Sequence, residues 1–243
     1  MIKKAHISID DTINIFEDLN ANRNYYDSIF ANKTMGLLKE LHDKYNMVFH
    51  LYCFCENMNA SFNLNFCTDK YKKEFKKNRR WLKINFHGKN GNTNLTNLNL
   101  SEFKNLFCDF KFQINRICGL NLTKLTRLHN YNITYEQLLF LRSQKINKLF
   151  ASEKIDIDCY NLKKHEKRLI KQKGVYLKDK MKYINVHIRL DNCQDVLKEI
   201  KKIDEHKIYI FMHEWMFYDN FLKMKSNIEL IGKWAKETKC KFI

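Results

Sequence analysis

Short runs of strand-forming residues alternate along this chain with stretches of helical periodicity, and this alternation constrains the fold most strongly. Strands that alternate with helices are typical of parallel sheets built from βα units. For a chain of 243 residues, a closed or nearly closed barrel is the economical arrangement of such units. The predicted strands lie at 5–9, 46–54, 82–87, 123–128, 147–151, 183–189 and 207–212, with a short eighth at 239–243.

The helical stretches supply the connections between these strands. In one of them, Thr134 offers a hydroxyl N-cap and Gln137 follows three residues later, which is the capping-box pattern. No repeat or linker interrupts the series, so we expect one domain over residues 1–243. The predicted helices lie at 34–45, 101–117, 134–145, 194–203 and 219–237.

The charge balance is strongly basic, because 44 Lys and Arg residues face 27 Asp and Glu residues, a net charge of +17. The densest basic stretches, 70–80 and 163–173, have helical spacing, and charge runs on helices are usually solvated faces. No nucleic-acid recognition motif accompanies the charge, so we expect no specific nucleic-acid binding. The apolar runs are shorter than the roughly 20 residues of a membrane span, which predicts no span.

The cysteines and the first residues bear on location. Eight cysteines are scattered without a CxxC pair, which favours buried reduced thiols over a disulfide framework. The chain opens with MIKKAHISID, which lacks the features of a signal peptide. We therefore expect a cytoplasmic location.

Acidic and histidine residues are concentrated where the predicted strands end. In βα barrels the reactive groups lie on the loops at the carboxyl ends of the strands. Such an enrichment at these positions is the main functional signal in the sequence. The residues that follow the strands are Asp10 and Asp11, His87, His129, Ser152 and Glu153, Arg189 and Asp191, and His213 and Glu214.

Two adjacent carboxylates end the first predicted strand. Asp10 and Asp11 would repel each other unless a cation lies beside them. A divalent metal could take one carboxylate as a ligand, while the other accepts a proton from metal-bound water. His87 and His129 could complete an Asp-His-His set with an open position. Alternatively, Asp11 with Thr12 caps the helix that follows, and the residue types alone leave both interpretations open.

Other strand-end residues also have two interpretations. His213 could serve as a general acid on a leaving amine, or as a hydrogen-bonded structural residue. Arg127 and Arg189 could orient a carboxylate, or form surface salt bridges. Trp215, beside Glu214, could contact a sugar face, or belong to the core.

Four short motifs, taken together, resemble the polysaccharide deacetylases of the NodB type, carbohydrate esterase family 4. They are SIDDT at 8–12, FHG at 86–88, RLHNY at 127–131 and FMHEW at 211–215. The chain looks closest to the divergent cytoplasmic branch associated with O-antigen and other bacterial surface-polysaccharide biosynthesis. The resemblance implies an α/β fold with a distorted (β/α) barrel of about seven parallel strands.

The resemblance also implies roles for individual residues. The first acid of the Asp pair would be the catalytic base and the second a metal ligand, which assigns these roles to Asp10 and Asp11. The family's second motif has two histidine ligands four residues apart. His87 matches the first, but Gly91 occupies the position of the second, and we expect His129 to replace it.

The remaining motifs imply an orienting and a proton-donating group. Arg127, with Arg189 as the alternative, would orient the base, and His213 would be the general acid. Asp191 is the nearest counterpart of the acid that supports this histidine. Glu214 and Trp215, next to His213, are expected to bind or orient the substrate.

The expected function is metal-dependent hydrolysis of an N-acyl group on a sugar or glycan precursor, with a nucleotide-linked or lipid-linked substrate. Zinc is the first choice of metal, and cobalt, nickel, manganese or iron would also suit a mixed oxygen and nitrogen site. The alternative is a catalytically inactive barrel that binds glycan or a biosynthetic partner, because the second histidine of the family motif is missing. The sequence does not indicate an oligomeric state.

Overall fold

Ten strands form two sheets in the computed structural model, which describes residues 2–243. Side chains from both sheets meet in one interior cluster that contains Tyr52, Phe150, Ile184 and Phe211. The strands, β1 to β10, are Lys4–Thr12, Phe49–Phe54, Leu82–Gly88, Leu125–Thr126, Lys148–Phe150, Val175–Lys178, Met181–Ile184, Ile188–Arg189, Lys207–His213 and Lys241–Phe242.

Helices lie between most of the strands, as the periodicity predicts. The longest, Leu100–Cys118, begins with a capping box between Asn99 and Glu102, and the predicted capping box of Thr134 and Gln137 is present as well. None of the helices within residues 2–243 has the length and apolarity needed to cross a membrane. The helices, α1 to α9, are Asn14–Ala21, Lys33–Tyr45, Lys72–Asn78, Leu100–Cys118, Tyr135–Ser143, Lys164–Lys173, Val196–Lys201, Met216–Asp219 and Phe221–Glu237.

The sheets are mostly parallel, which confirms the α/β class. The larger sheet has the order β3-β2-β1-β9-β8 with β10 beside β1, and the smaller has the order β4-β5-β7-β6. The only antiparallel pair among the strands of residues 2–243 is β6 with β7. The expected barrel of about seven strands is not confirmed, because within these residues no strand ladder joins β3 to β4 or β7 to β8.

Side chains connect β3 to β4 where the backbone ladder is interrupted. The side chain of Asn85 accepts hydrogen bonds from both the backbone N–H and the hydroxyl of Thr123, each at 2.8 Å. The hydroxyl of Thr126 donates to the carbonyl of Phe86. Polar side chains therefore hold the two sheets together at this seam.

Several element boundaries differ from the sequence prediction. The predicted strand at 123–128 is reduced to β4, and the one at 183–189 is divided between β7 and β8. The β6–β7 hairpin was not predicted, and α1 was expected only in the alternative interpretation, as the helix that Asp11 and Thr12 would cap. Helix α1 lacks a local side-chain cap, so the usual start signal is missing from its sequence.

One face of each strand points into the interior between the sheets. In β1 this face carries His6, Ser8 and Asp10, since successive side chains alternate; the ring of His6 contacts those of His50, Phe150 and Tyr209. The strands of the larger sheet end together, with Asp10 in register with His213. We call this end of the interior the C-terminal mouth, and the end where the strands begin the N-terminal mouth.

The cysteines do not contribute to the C-terminal mouth as a group. All eight are free of disulfides, and seven of them are buried, with Cys108 exposed. Burial raises the pKa of the Cys53 and Cys55 thiols well above their usual value. Both thiols therefore behave as apolar core groups.

Candidate active site

A bulge at the end of β1 lets two consecutive carboxylates serve the same site. In a regular strand, Asp10 and Asp11 would point to opposite faces of the sheet. Here the register with β2 shifts between Ile9 and Thr12, and Asp11 adopts a left-handed conformation with φ of 59°. Aspartate tolerates this conformation better than most residues do. The bulge therefore re-aims one side chain of the pair.

Asp11, His87 and His129 form a cluster that could hold a metal ion. One ligand atom from each lies within 4.8 Å of the other two. The distances from Oδ1 of Asp11 are 3.1 Å to Nε2 of His87 and 3.4 Å to Nδ1 of His129. Within residues 2–243, this is the one such group of three or more histidine, cysteine or acidic side chains.

Backbone carbonyls determine which nitrogen of each imidazole carries a hydrogen. Nδ1 of His87 lies 2.6 Å from the carbonyl oxygen of Arg127, and Nε2 of His129 lies 3.1 Å from that of Gly91. Because a carbonyl only accepts, both of these nitrogens must donate. In neutral rings the opposite nitrogens are then lone pairs that converge on Asp11. Three acceptors facing one another would repel, and either added protons or a metal cation between them would remove the repulsion. Hydrogen-bonded imidazoles of this kind are typical metal ligands.

The charge on Asp11 agrees with this arrangement. Burial by itself would raise the pKa of the Asp11 carboxyl. When no ion is bound, protonated His129 and His87 would donate to Asp11, and these bonds, with the charges of His87 and His213, outweigh burial and hold the pKa well below its usual value. A metal cation would take the place of these protons. Asp11 is thus available as an anionic ligand across the ordinary range of pH.

Asp10 forms a buried pair with Arg127 beside the metal-ligand cluster. Nη1 of Arg127 donates to Oδ2 of Asp10 at 2.7 Å, and both side chains are almost fully buried. The guanidinium packs over the rings of Phe211 and Phe150, at 4.0 and 5.0 Å from their centroids. Oδ1 of Asp10 is buried without a hydrogen-bond partner among residues 2–243. Arg127 therefore orients one carboxylate oxygen and leaves the other without a hydrogen-bond partner among these residues.

His213 lies in the wall of the same site and is hydrogen-bonded to Asp191. Its Nδ1 is 2.5 Å from Oδ2 of Asp191, and its backbone N–H donates to Oδ1 of the same carboxylate at 3.0 Å. Nε of Arg189 also donates to Asp191, at 2.7 Å. Burial lowers the pKa of His213, but the hydrogen bond to Asp191 and the charges of Asp10, Asp191 and Asp11 raise it overall.

These groups open onto one cleft of about 390 Å³. Its wall includes Asp10, His87, His129, Arg189 and His213. The cleft is of the size that small-molecule sites commonly have. The carboxylate of Asp10 and the imidazoles of His87, His129 and His213 thus border the same space.

Comparison with solved structures shows the same architecture in known enzymes. A peptidoglycan N-acetylglucosamine deacetylase matches 99% of this chain and 85% of its own, with a TM-score of 0.55 and 11% identity. The chain has the fold of NodB-type deacetylases. No protein-family model and no curated protein sequence matches the chain.

Two further matches show the range of proteins that share the deacetylase fold. A carbohydrate esterase family 4 pseudoenzyme from Bacillus anthracis has 9% identity and a TM-score of 0.51, over 99% of this chain and 63% of its own. A 4-alpha-glucanotransferase from Thermococcus litoralis has 13% identity and a TM-score of 0.62, over 100% of this chain and 39% of its own. The function must therefore be argued from the site.

The loop after β3 distinguishes this chain from the histidine pattern expected of the deacetylase fold. Gly91 stands where the resemblance implies a second histidine, and a Cβ there would lie 2.4 Å from Sδ of Met58. The space for a side chain is thus partly occupied by Met58. Instead, the carbonyl of Gly91 accepts the hydrogen bond from His129. Asn90 supports this loop through bonds from Asn92 and Thr93 to its side-chain oxygen.

Glu214 does not contact the cleft, so its expected role in substrate binding is wrong. Its side chain is fully buried, and its carboxylate accepts the backbone N–H groups of Ile13, Asn14 and Ile15 at 2.8 to 3.0 Å. It therefore caps α1 from the far end of the chain. The alternative role of Asp11 as the cap of α1 is excluded by the same contacts.

Loss of this cap should destabilise the protein. Glu214→Ala leaves three N–H groups without their acceptor, and we expect the free energy of unfolding to fall by about 3 kcal/mol. Asn99→Ala, at the exposed capping box of α4, is the control and should cost about 1 kcal/mol. Urea unfolding followed by circular dichroism measures both. Equal losses of unfolding free energy in the two variants would show that Glu214 contributes no more than an exposed helix cap.

The remaining predicted residues lie at the edge of the cleft. Trp215 is 39% exposed, and its ring stacks on His213 with centroids 5.5 Å apart. It is therefore a rim residue and not part of the core. Arg189 contacts Asp191 and lies 3.9 Å from Glu153, whereas Arg127 contacts Asp10. The sequence left these two arginines as alternatives for one role, and the structure separates their contacts.

Proposed function

We propose that this protein is a metal-dependent deacetylase that hydrolyses an N-acyl group on a sugar or glycan precursor. The observation that carries the proposal is the convergence of two imidazole lone pairs on Asp11, at the edge of the same cleft as Asp10 and His213. The fold that this chain shares with a peptidoglycan N-acetylglucosamine deacetylase supports the proposal. One chain supplies the proposed metal ligands, the proposed base and the proposed acid.

Asp11, His87 and His129 would hold the metal, through Oδ1, Nε2 and Nδ1. Zinc suits such a donor set, and cobalt, nickel, manganese or iron would also accept it. When bound, the ion would polarise the acyl carbonyl and lower the pKa of its water. The chain's other residues then provide the proton transfers.

Asp10 would act as the general base. Its Oδ2 is held by Arg127, so the position of the carboxylate is determined, while Oδ1 has no partner and can receive the proton of the attacking water. The guanidinium also compensates the charge of a carboxylate that is almost fully buried. Arg127 is therefore a positioning residue for the base.

His213 would act as the general acid toward the departing amine. Asp191 accepts from its Nδ1, which leaves Nε2 as the nitrogen that can reach the substrate. The C–N bond breaks as this proton reaches the amine nitrogen, and the acyl group leaves as the carboxylic acid. Trp215, stacked on the ring, keeps it in this orientation and offers a face to the sugar.

The finer features of the substrate follow from the resemblance and the cleft. We propose a nucleotide-linked or lipid-linked glycan precursor of O-antigen or other surface polysaccharide, deacetylated in the cytoplasm. Arg189 and Lys154 give the cleft cationic groups that suit a phosphorylated substrate. We further propose that residues 1–243 act as a single polysaccharide-deacetylase-like domain.

An inactive, glycan-binding protein of the same fold is the second candidate. It is favoured by the replacement of the expected histidine with Gly91 and by the fold shared with a protein described as a pseudoenzyme. In that case the aromatic rim and the cleft would bind glycan without hydrolysis. Turnover separates the two candidates.

The direct test measures acetate release from N-acetylglucosamine oligomers and from nucleotide-linked N-acetylglucosamine. We expect release with zinc or cobalt present, loss after treatment with a chelator, and recovery when metal is returned. Stoichiometric metal and bound oligomer without acetate would support the inactive, glycan-binding protein. Absence of metal binding under all supplements would overturn the deacetylase proposal.

The pH dependence tests the acid. The raised pKa of His213 keeps the imidazole protonated to higher pH, so activity should fall as the pH rises through that pKa. Asp191→Asn removes the hydrogen bond that raises it, and the alkaline limb of the kcat/KM profile should move to lower pH. Asp195→Asn, at the cap of α7, is the control. An unmoved limb in Asp191→Asn would rule out His213 as the acid.

A further inference from the structure

The N-terminal mouth, opposite the cleft, is surrounded by lysines at the starts of strands. Lys4, Lys148, Lys182 and Lys207 occupy the first or second positions of β1, β5, β7 and β9. Each precedes by two residues a side chain of the interior, so each faces the same side of its strand. These interior side chains are His6, Phe150, Ile184 and Tyr209. We call the four lysines the strand-entry lysines.

The strand-entry lysines lie in adjacent pairs of like charge. Lys4 is in register with Lys207, and Lys148 is in register with Lys182. Residues paired in this way are about 5 Å apart, and like charges at such positions are destabilising. The lysines that form ion pairs within residues 2–243 lie elsewhere on the surface. Among the described residues, therefore, none of the four strand-entry lysines has an ion-pair partner.

A concave site of about 250 Å³ opens beside two of the strand-entry lysines. Lys182 and Lys207 line it together with Lys173 and the ring of Tyr209. Glu205 also lines the site, but its carboxylate already accepts from Nε2 of His187 at 2.9 Å. Three lysines thus line the cavity, and the one carboxylate in its lining is already hydrogen-bonded to His187.

The interior just inside this mouth is polar as well. His50 is buried, and its Nδ1 has no hydrogen-bond partner among residues 2–243; the same is true of the hydroxyl of Ser8, its register partner on β1. Burial lowers the pKa of His50 to about 4, so this ring is neutral near pH 7. The positive charge of the mouth therefore comes from the lysines, with unpaired polar groups beneath them.

We propose that the N-terminal mouth binds a compact oligophosphate, such as free pyrophosphate or the diphosphate of a nucleotide. Lysine ammonium groups are common phosphate ligands, and a phosphate chain would neutralise several of them at once. The cavity suits a small ligand, and the mouth lies at the opposite end of the strands from the cleft. The site does not depend on the proposed deacetylase activity.

The test is calorimetric titration of the protein with pyrophosphate at low ionic strength. Asp11→Asn protein treated with chelator serves as the background, so that metal at the cleft cannot bind the ligand. We expect saturable binding that weakens about tenfold or more in Lys182→Gln/Lys207→Gln. The control, Lys73→Gln/Lys233→Gln, removes the same charge from exposed positions on α3 and α9 and should bind like the background protein.

Parallel arms identify the source of the phosphate and the outcomes that would overturn the site. Tighter binding of uridine diphosphate than of pyrophosphate would indicate a nucleotide, and equal binding a free oligophosphate. Absence of saturable binding, or equal weakening in the two double variants, would overturn the proposal. Binding only to vesicles of anionic lipid would also overturn it and assign the lysines to a membrane surface.

Discussion

Replacing His129 with alanine should abolish stoichiometric metal binding. His129 supplies one of three converging ligand atoms, and its ring orientation is determined by the carbonyl of Gly91. Mutations of residues that only support a ligand commonly cost 10–100-fold in affinity, so loss of the ligand itself should exceed about 100-fold. Metal content by plasma mass spectrometry, on protein purified without chelator or nickel resin, measures the effect.

Two comparisons give this prediction its specificity. Asp11→Ala should lose metal equally, whereas His165→Ala, at an exposed position on α6, should retain it. In the His129→Ala background, Gly91→His with Met58→Ala restores a histidine at the position that the resemblance implies and removes the Met58 sulfur that a side chain there would contact. Recovery of metal would show that a histidine ligand can be supplied either by the loop after β3 or by the loop after β4. Full metal content in His129→Ala would exclude the proposed ligand set.

Asp10→Asn should lower turnover by about 10²–10⁴-fold while metal content stays unchanged. The amide keeps the size of the side chain and an oxygen that can accept from Arg127, but it cannot take a proton from water. The steady-state rate of acetate release and the metal content of the same preparation must be measured together. The two measurements distinguish Asp10 from Asp11, because loss of Asp11 should remove both the turnover and the bound metal.

Arg127→Lys provides the matched positioning variant. Lysine keeps the charge but loses the planar fork and its packing between Phe211 and Phe150. We expect a smaller loss of turnover than in Asp10→Asn, with metal retained. If Asp10→Asn turned over at the wild-type rate, Asp10 would not be the base.

Much of the site could be predicted from the sequence because it depends on strand ends. Asp10, His87 and His213 directly end or follow runs of apolar residues, and parallel strands bring such ends to one edge. The same logic failed for Glu214, which follows β9 but turns inward to cap α1. That contact joins residues about 200 positions apart, and no local pattern indicates it.

The conformation of individual residues was also beyond the sequence. Alternation along a strand would separate Asp10 from Asp11, and only the bulge shows how both serve one site. His129 could be named from the sequence as the replacement for the missing histidine, but the contact of its loop with the carbonyl of Gly91 could not. Side chains such as Asn85 and Thr126, which replace backbone pairing at the seam, likewise give no sequence signal that the barrel is open.

The position of the ligands across the open seam has a mechanical consequence. Asp11 and His87 belong to the larger sheet, whereas His129 follows β4 of the smaller one. A bound ion would therefore crosslink two sheets that otherwise meet there through side chains. If both histidine ligands followed β3, the ion would contact the larger sheet only. Metal should then slow amide exchange in β4 and raise the melting temperature, so that the loaded protein is the more rigid one.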